Sequence, residues 1–356
     1  MQNYIVWFQQ NYPEMCEALH ESNHHHSMQE LNPYHLEGDC WAHTMMVCKI
    51  AELEKYGKNV QIASLLHDIG KPVCREINPK NNHVSFFGHE GMSAYMALEV
   101  LYKLYEEKEI LKKEIGKIFA LIALHATLYK TKSFSEIGQK FKYDKTLYLD
   151  LLALNHCDEH GRYTSIPNSD KQRKERLLSL AENLSDTPCE QIDSKPWVEL
   201  LVGVSNSGKS SYCKEHYGED FTGVVISRDT LVIEIGKGST YNECWKSLSE
   251  IEHAKIDALI EETFINAVQQ GKNIVVDMMN ISRKSRMRWL EPAKDAYVKK
   301  ARVFLTPLSD IKVRNKKQSA IKYLEVSIIE QMVRRFEYPL YDEVDSIEIE
   351  FNSIEI

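Results

Sequence analysis

The stretch LLHDIGKP, residues 65–72, sets a histidine directly beside an aspartate at the end of an apolar run. Other histidines and a second aspartate lie in separate apolar helical segments. A polar group in such a segment is costly unless it is paired, and imidazoles and carboxylates that converge from several helices can share metal ions. The predicted metal ligands are His43, His67, Asp68, His89, His125 and Asp158.

Metal ions held by this set would lower the pKa of water towards about 7 and clamp a phosphoryl group. We expect Asp68 to bridge two metals and to be catalytic, and Lys71 in the next turn to contact the substrate phosphate. Imidazole-rich ligation suits Mn, Fe, Co, Ni or Zn. Taken singly, His89 is equally a satisfied capping residue. His156 and His160 compete with Asp158, but an aspartate better suits a bridging or anionic ligand.

A second chemical pattern is GVSNSGKSS, residues 203–211, which directly follows the apolar run WVELLV. It fits G-x-x-x-x-G-K-[ST], a loop whose backbone N–H groups wrap the phosphates of a nucleotide. Lys209 would reach the β- and γ-phosphates, which makes it catalytic, and Ser210 would hold Mg²⁺. The predicted ATP-binding residues are Gly203, Ser205, Asn206, Ser207, Gly208, Lys209, Ser210 and Ser211.

Charged residues follow further strand-like runs in the second half of the chain. In VVISRD, a carboxylate at the end of a neighbouring strand can accept a proton from an attacking hydroxyl. Asp229 is therefore the predicted general base, although it could instead be the N-cap of the following helix. Arg314, in VRNKK, is predicted to be a catalytic lid residue over the triphosphate. The predicted substrate-binding residues of this half are Arg228, Asp277, Asn280, Arg283 and Arg286.

These residues must be positioned by two kinds of element. Between about 40 and 160, apolar residues recur at three- and four-residue spacing, which predicts an all-α domain. From 197, strand-like runs alternate with helical ones, which predicts an α/β P-loop domain with a mainly parallel sheet. We predict domains at 1–185 and 197–356, joined by a linker at 186–196. The tail SIEIEFNSIEI is predicted to be an edge or interface strand, and HHH at 24–26 a loop rather than a metal site.

The composition of the 356 residues, 43% hydrophobic and 27% charged, is typical of a globular protein. No window has the run of about 18 apolar residues that a membrane span needs, so no membrane association is expected. The eight cysteines lack CxxC spacing, which favours free thiols in a reducing cytoplasm. The net charge of −8 disfavours a protein that coats nucleic acid nonspecifically, but not an enzyme that binds the end of one strand locally.

The first set of residues resembles the pattern H…HD…H…H…D of the HD-domain phosphohydrolase superfamily, which it matches residue by residue. The segments FFGHE and ALHATLYK are similar to those of the HD domains attached to bacterial tRNA nucleotidyltransferases. The second half resembles polynucleotide 5′-kinases, in which Lys209 and Ser210 would handle ATP–Mg²⁺ and Asp229 would be the base for a 5′-OH. Two positions depart from that pattern: Val232 stands where phage kinases have an acceptor-binding arginine, and Gln318 aligns with their lid arginine, near Arg314.

In this order the two halves resemble the bacterial and phage HD-Pnk end-healing enzymes. The resemblance implies a bifunctional RNA-repair enzyme that uses ATP, Mg²⁺ and a divalent transition metal. Its partners would be RNA or DNA ends carrying 5′-OH and 2′,3′-cyclic or 3′-phosphate, with a separate ligase, in the cytoplasm of a bacterial or phage-infected cell. Two alternatives stay open: a small-molecule kinase joined to an HD nucleotidase or phosphodiesterase, and a kinase with a regulatory metal-binding HD module.

Overall fold

The computed structural model describes residues 1–26, 31–165, 171–187, 195–239, 241–317 and 323–352. The chain divides into two units, one of Met1–Thr187 with Val333–Tyr338 and one of Pro188–Met332 with Pro339–Ile356. Residues 188–194, most of the predicted linker, lie outside the described residues, as does Gln318. The helical first half and the parallel sheet of the second half confirm the predicted fold class.

The first unit is built mainly from helices. They are α1 Gln2–Asn11, α2 Pro13–Glu21, α3 Cys40–Leu53, α4 Lys58–Leu66, α5 Lys71–Cys74, α6 His89–Glu106, α7 Lys112–Leu124, α8 Thr127–Lys130, α9 Phe134–Lys140, α10 Lys145–His160 and α11 Lys171–Leu180. A short antiparallel ribbon, β1 Glu76–Ile77 and β2 Val84–Ser85, interrupts the predicted all-helical pattern. The ribbon forms because Pro79 and a run of asparagines between its strands do not support a helix.

Helices α3, α4, α6, α7 and α10 enclose the core of this unit. In α7 the residues Ile115, Ile118, Phe119 and Ile122 are buried, and their spacing places them on one face of the helix. Helix α3 begins where the Asp39 carboxylate accepts a hydrogen bond of 2.7 Å from the backbone of the third residue beyond it. These helices therefore hold their inward-facing polar residues in a tightly packed apolar frame.

The turn between α4 and α5 comes unusually close to α6. A Cβ atom at Gly70 would lie only 2.5 Å from the backbone nitrogen of Ser93, so only glycine fits there. The backbone N–H of Gly70 also donates to Ser93 Oγ over 2.9 Å. This approach fixes the turn that carries His67 and Asp68.

The second unit alternates strands with helices. Its elements are β3 Trp197–Val202, α12 Lys209–His216, β4 Val224–Ile226, α13 Arg228–Ile235, α14 Tyr241–Ser247, α15 Glu250–Gln269, β5 Ile274–Val276, α16 Arg283–Ala293, β6 Val298–Leu305, α17 Leu308–Lys317, α18 Val326–Arg334 and β7 Ser346–Phe351. Short 3₁₀ turns occur at Lys294–Ala296 here and at Ala181–Asn183 in the first half. The strands form one sheet in the order β4-β5-β3-β6-β7.

All neighbouring strands of this sheet run parallel, with Leu200 of β3 opposite both Val276 and Ala301. The carboxyl ends of β3, β4 and β5 therefore meet at one edge, where α/β folds bind ligands. Strand β7 lies at the end of the sheet order, which confirms the predicted edge strand for the described part of the tail. Residues 353–356 lie outside the described residues.

No helix in the described part of the chain is both long and apolar enough to cross a membrane. Seven cysteines are buried and free, namely Cys16, Cys40, Cys48, Cys74, Cys157, Cys213 and Cys244, which confirms the predicted free thiols at these positions. Cys189 lies outside the described residues.

Candidate metal centre and phosphate loop

Asp68 lies at the centre of the predicted metal ligands. Its Oδ2 atom is 3.2 Å from His67 Nε2 and 3.6 Å from His43 Nε2. Its Oδ1 atom is 3.4 Å from His89 Nε2 and 3.9 Å from His125 Nε2. The structure thus brings residues of α3, α6 and the turns after α4 and α7 onto one carboxylate.

Asp158 completes the predicted set from α10. Its Oδ1 atom is 3.1 Å from His43 Nε2. His156 and His160, the competing candidates, instead lie beside each other with ring centroids 4.1 Å apart. The aspartate is therefore the residue of this helix that reaches the cluster.

Three of the histidines are held in one tautomer by backbone carbonyls. In each, Nδ1 lies within hydrogen-bonding distance of the carbonyl oxygen of the third residue before it. A carbonyl oxygen only accepts, so Nδ1 carries the proton and Nε2 is left with a lone pair, the form in which histidine binds metals. The pairs are His67 with Ser64 at 2.9 Å, His89 with Phe86 at 2.8 Å and His125 with Ile122 at 2.7 Å.

The buried polar atoms of the cluster fit divalent metal ions. Both oxygens of Asp68, both ring nitrogens of His43 and Nε2 of His67 are shielded from solvent without a well-aligned hydrogen bond among the described residues. Two ligand groups, His43–His67–Asp68 and Asp68–His89–His125, each keep their ligand atoms within 4.8 Å of one another. They share Asp68, as expected of a bridging carboxylate.

The pKa values of the predicted ligands are shifted in different directions. Burial opposes the charge of Asp68, yet His67 and Lys71 hold the pKa of this carboxyl well below its usual range. Burial lowers the pKa of His89 to about 4. Burial also disfavours the charged form of His43, but its contacts with carboxylates raise its pKa to about 9, and a cation among these carboxylates would replace that proton.

Glu37, which was not predicted from the sequence, contacts the ring of His43 on the nitrogen that does not face Asp68. Its Oε1 atom is 3.1 Å from His43 Nδ1 and 2.8 Å from His35 Nδ1. The ring of His35 stacks on that of His24 with centroids 4.2 Å apart. His24 belongs to the predicted HHH loop, but it is buried and forms a possible metal-binding group with His35 and Glu37. The only indication of this role in the sequence is that Glu37 belongs to the segment HLEGDC, which leads directly into α3.

A cleft of about 310 Å³ opens beside Asp68 and is lined by Lys71, Phe86, Tyr129 and Arg162 among others. Lys71 Nζ is 2.7 Å from Asp68 Oδ2 and 3.1 Å from His24 Nε2. Lys71 thus contacts the cluster directly, with His24 accepting one of its protons, and its contact with a phosphate stays a prediction. Divalent cations bound here would supply Lewis-acid chemistry to a phosphate ester in the cleft.

The loop between β3 and α12 has the geometry of a phosphate cradle. Asn206 and Gly208 have positive φ angles of 67° and 96°, which turn the backbone N–H groups inward. Lys209 Nζ donates to the carbonyl oxygens of Gly203 and Val204, each over 2.8 Å. The side chain is thus folded back onto the first residues of the loop.

Two aspartates at the strand ends face this lysine. Burial lowers the pKa of Lys209 to about 8, and the nearby Asp277 and Asp229 offset part of that effect. Asp229 lies in the first turn of α13, whose N-cap is Ser227. The alternative assignment of Asp229 as the N-cap is therefore wrong, and its role as a general base stays a prediction.

Arg314, the predicted lid residue, contacts the phosphate loop. Its Nη1 donates to Asn206 O over 3.4 Å, and its Nη2 donates to Asn352 O and Oδ1 over 3.0 and 2.9 Å. Asn352 Nδ2 in turn donates to Ser207 O over 3.0 Å. Asn352 had not been predicted, because nothing in the sequence relates the end of β7 to the loop.

Two predicted substrate contacts need correction. Arg286 is completely buried, and its Nε and Nη2 donate to the carboxylate of Glu343 over 2.7 and 2.9 Å. Asn280 is 3% exposed and its amide donates to the carbonyls of Leu201 and Val276. Both side chains are engaged inside the protein, so their role is structural. A basic run in a sequence does not reveal which of its members is buried.

Two further predicted substrate residues of this half, Arg283 and Arg228, form ion pairs and keep part of their side chains exposed. Arg283 keeps 42% of its side chain exposed and contacts Asp342 at 2.9 Å. Arg228 donates from Nε to Asp257 Oδ1 over 2.9 Å. Their contact with a substrate stays a prediction.

The His/Asp cluster and the phosphate loop each lie within a region that matches a protein-family model. The HD domain model matches residues 40–185, and an AAA domain model matches residues 198–339. The HD-domain match contains the cluster of histidines and aspartates around Asp68, and the AAA-domain match contains the phosphate loop at 203–211.

Individual relatives cover only parts of the chain. A multifunctional CCA protein from Herminiimonas arsenicoxydans is 25% identical over 177 residues, which is 46% of this chain and 40% of that protein. A chain of the Pnkp1/Rnl/Hen1 RNA repair complex is 21% identical, with 41% and 45% of the two chains covered and a TM-score of 0.34. A gluconokinase from Sinorhizobium meliloti 1021 is 18% identical, with 45% and 84% covered and a TM-score of 0.30. The chain thus spans less than half of the curated relative's length.

Proposed function

We propose that this protein heals broken nucleic-acid ends. The P-loop half transfers the γ-phosphate of ATP to a 5′-OH end, and the HD half removes a 2′,3′-cyclic phosphate or a 2′- or 3′-phosphate. The observation that supports this proposal is the presence in one chain of a buried His/Asp cluster that fits metal ions and of a loop with the geometry of a phosphate cradle. A nuclease that leaves cyclic phosphate and 5′-OH ends creates one defect for each of these chemistries.

In the P-loop half, the backbone of 203–208 and Lys209 hold the β- and γ-phosphates, and Ser210 holds Mg²⁺. Asp229 accepts the proton of the attacking 5′-hydroxyl. Arg314, which already contacts the loop through Asn206 O, stabilises the charge that develops on the transferred group. The shared influence of Asp229 and Asp277 on Lys209 supports this arrangement.

In the HD half, the histidine and aspartate ligands around Asp68 hold the divalent transition metal ions. Lys71, at the wall of the cleft, orients the phosphate ester. The Nδ1 contacts of the ligand histidines with backbone carbonyls keep the rings in place while the ester is cleaved.

A small-molecule kinase joined to an HD phosphatase is the second candidate. Val232 favours it, because this residue is completely buried in α13 at the position where the kinases that the sequence resembles carry an acceptor-binding arginine. A purely structural metal site in the HD half is less consistent with the cleft, since structural sites are closed to substrate.

The test uses RNA and DNA oligonucleotides with a 5′-OH and either a 2′,3′-cyclic phosphate or a 3′-phosphate. They are incubated with ATP–Mg²⁺ and, in parallel, with Mn²⁺, Co²⁺ or Ni²⁺. We expect labelling of the 5′ end from γ-labelled ATP and loss of the phosphate at the other end. If neither end reacts although ATP binds, the small-molecule alternative replaces this proposal.

A further inference from the structure

Three aromatic side chains form a continuous group in the second half of the protein. The ring centroids of Tyr241 and Trp245, both on α14, are 6.0 Å apart. Those of Trp245 and His253, on α15, are 4.5 Å apart. The guanidinium carbon of Arg228 lies 4.5 Å from the centroid of the Trp245 ring. Together these residues are called the aromatic cluster below.

Arg228 is held rigidly in the aromatic cluster. Its Nε donates to Asp257, and its Nη2 is 3.3 Å from His253 Nδ1. Its Nη1 is shielded from solvent and has no hydrogen-bond partner among the described residues. A guanidinium held against the indole in this way fixes the orientation of the Trp245 ring and adds a cation–π contact to it.

Trp245 nevertheless keeps 40% of its surface exposed. Tryptophan is highly buried on average, so an indole that is half open and already lies against a cation is unusual. Exposed aromatic rings are the surfaces on which proteins stack the bases of single strands, because every base has a π-face. Stacking needs no basic surface, which is consistent with the net charge of −8.

The aromatic cluster begins at the proposed kinase base. Burial raises the pKa of Tyr241, and the charge and hydrogen bonding of Asp229 raise it further, which places the phenol beside this carboxylate. Asp229 also acts on Lys209 of the phosphate loop. Tyr241 therefore links the aromatic cluster to the residue proposed as the kinase base.

We propose that the aromatic cluster stacks the base of the terminal nucleotide of a 5′-OH strand, with Trp245 as its main surface. This inference rests on the proposed kinase function and names the acceptor contact that Val232 cannot make. Stacking would also make strand binding independent of base identity, since it does not depend on the hydrogen-bonding edges of the base.

The experiment compares 5′-phosphorylation by the wild-type protein, Trp245→Ala, Trp245→Phe and Ile251→Ala. Ile251 on α15 is a matched control because it, too, is an exposed apolar residue, at 69%, and it lies outside the aromatic cluster. Substrates are a normal oligonucleotide and one whose terminal nucleotide is abasic. We expect Trp245→Ala to raise KM for the normal strand about 10–100-fold, while KM for ATP is unchanged and Trp245→Phe retains most of the affinity.

The abasic strand separates stacking from packing. Removing the terminal base should weaken strand binding by the wild-type protein about as much as Trp245→Ala weakens binding of the normal strand. Combining Trp245→Ala with the abasic strand should weaken binding little further. A terminal 2-aminopurine should be quenched on binding to the wild-type protein and not to Trp245→Ala. Equal losses for normal and abasic strands, or a shift in KM for ATP, would overturn the stacking proposal. A wild-type protein that phosphorylates no oligonucleotide would instead overturn the proposed function, and the stacking site with it.

Discussion

Glu37 fixes the His43 ring from the side opposite the metal ligands, because its carboxylate lies 3.1 Å from His43 Nδ1. Replacing this carboxylate by an amide keeps the shape and removes the charge. We expect Glu37→Gln to weaken metal binding by about 10–100-fold, as the loss of an outer carboxylate does at comparable sites. Competition between the protein and a chelating indicator for Mn²⁺ or Co²⁺ measures this change.

The control for that prediction is Glu136→Gln in the first half. Glu136 lies in the first turn of α9 and forms an ion pair with Lys140. It should leave the metal affinity unchanged. Unaltered affinity in Glu37→Gln itself would mean that His43 is positioned by its helix alone.

Lys209 makes nucleotide binding depend on pH. Its pKa is lowered to about 8 in the nucleotide-free protein, below the ordinary value of 10.5. Phosphates would stabilise the ammonium and raise this pKa again. We therefore expect ATP binding to take up almost no proton at pH 7 and up to one proton near pH 9, so that affinity falls as the pH rises above about 8.

Calorimetry in buffers of different ionisation enthalpy counts these protons directly. Lys209→Arg is the comparison, since a guanidinium stays charged over this range and should show no proton uptake. The same uptake at pH 7 and pH 9 in the wild-type protein would contradict the assignment to Lys209.

The metal ligands and the phosphate loop could be predicted because their chemistry restricts residue type and spacing. His67 and Asp68 stand out as polar residues in an apolar run, and Gly208 and Lys209 belong to a fixed pattern. Glu37 could not be predicted, since its role depends on a loop that returns to α3 and follows no periodicity.

Helix α16 illustrates what a helix gains from one buried ion pair. Arg286 is completely buried against Glu343, so its removal takes away the closest cation of a buried carboxylate and leaves it with the partly exposed Arg283. We expect Arg286→Ala to lower the free energy of opening of α16 by about 3–5 kcal/mol. Hydrogen–deuterium exchange of peptides from Arg283–Ala293 follows that opening.

Arg283→Ala is the matched control on the same helix. Its guanidinium also approaches Glu343, at 3.3 Å, but 42% of the side chain is exposed. Solvent screening should keep the cost below about 1 kcal/mol. Similar losses in the two variants would show that burial of Arg286 contributes little.

The elements themselves were predictable where the pattern has a period. Helix α7 buries residues at helical spacing, and β3 is a short apolar run before a glycine-rich loop. The β1–β2 ribbon has strands of two residues each, too short for a period-two pattern to be recognised. Burial of one arginine among several in α16 was equally invisible, because it depends on a partner in a distant segment.

The two halves should be separable by single substitutions. Asp229→Ala removes the proposed proton acceptor of the kinase and should abolish 5′-phosphorylation while leaving release of the 3′-end phosphate intact. His67→Ala or Asp68→Ala should do the reverse, because each removes a ligand of the metal centre. Both activities are measured on one doubly labelled oligonucleotide.

Folding of each variant is checked by its thermal unfolding profile. Loss of both activities in a folded Asp229→Ala protein would show that the halves depend on each other.

The strand order of the sheet has a consequence for the synthesis of the protein. Strand β3 is made first but lies at the centre, and its neighbours β5 and β6 are translated later. In the helical half, sequential helices such as α3 and α4 pack together and can form early, although the segment Val333–Tyr338 of the same unit is made later. Until residue 305 has left the ribosome, however, β3 has an unpaired edge. A translational pause between β3 and β6 should therefore be the interval in which the nascent chain aggregates most readily.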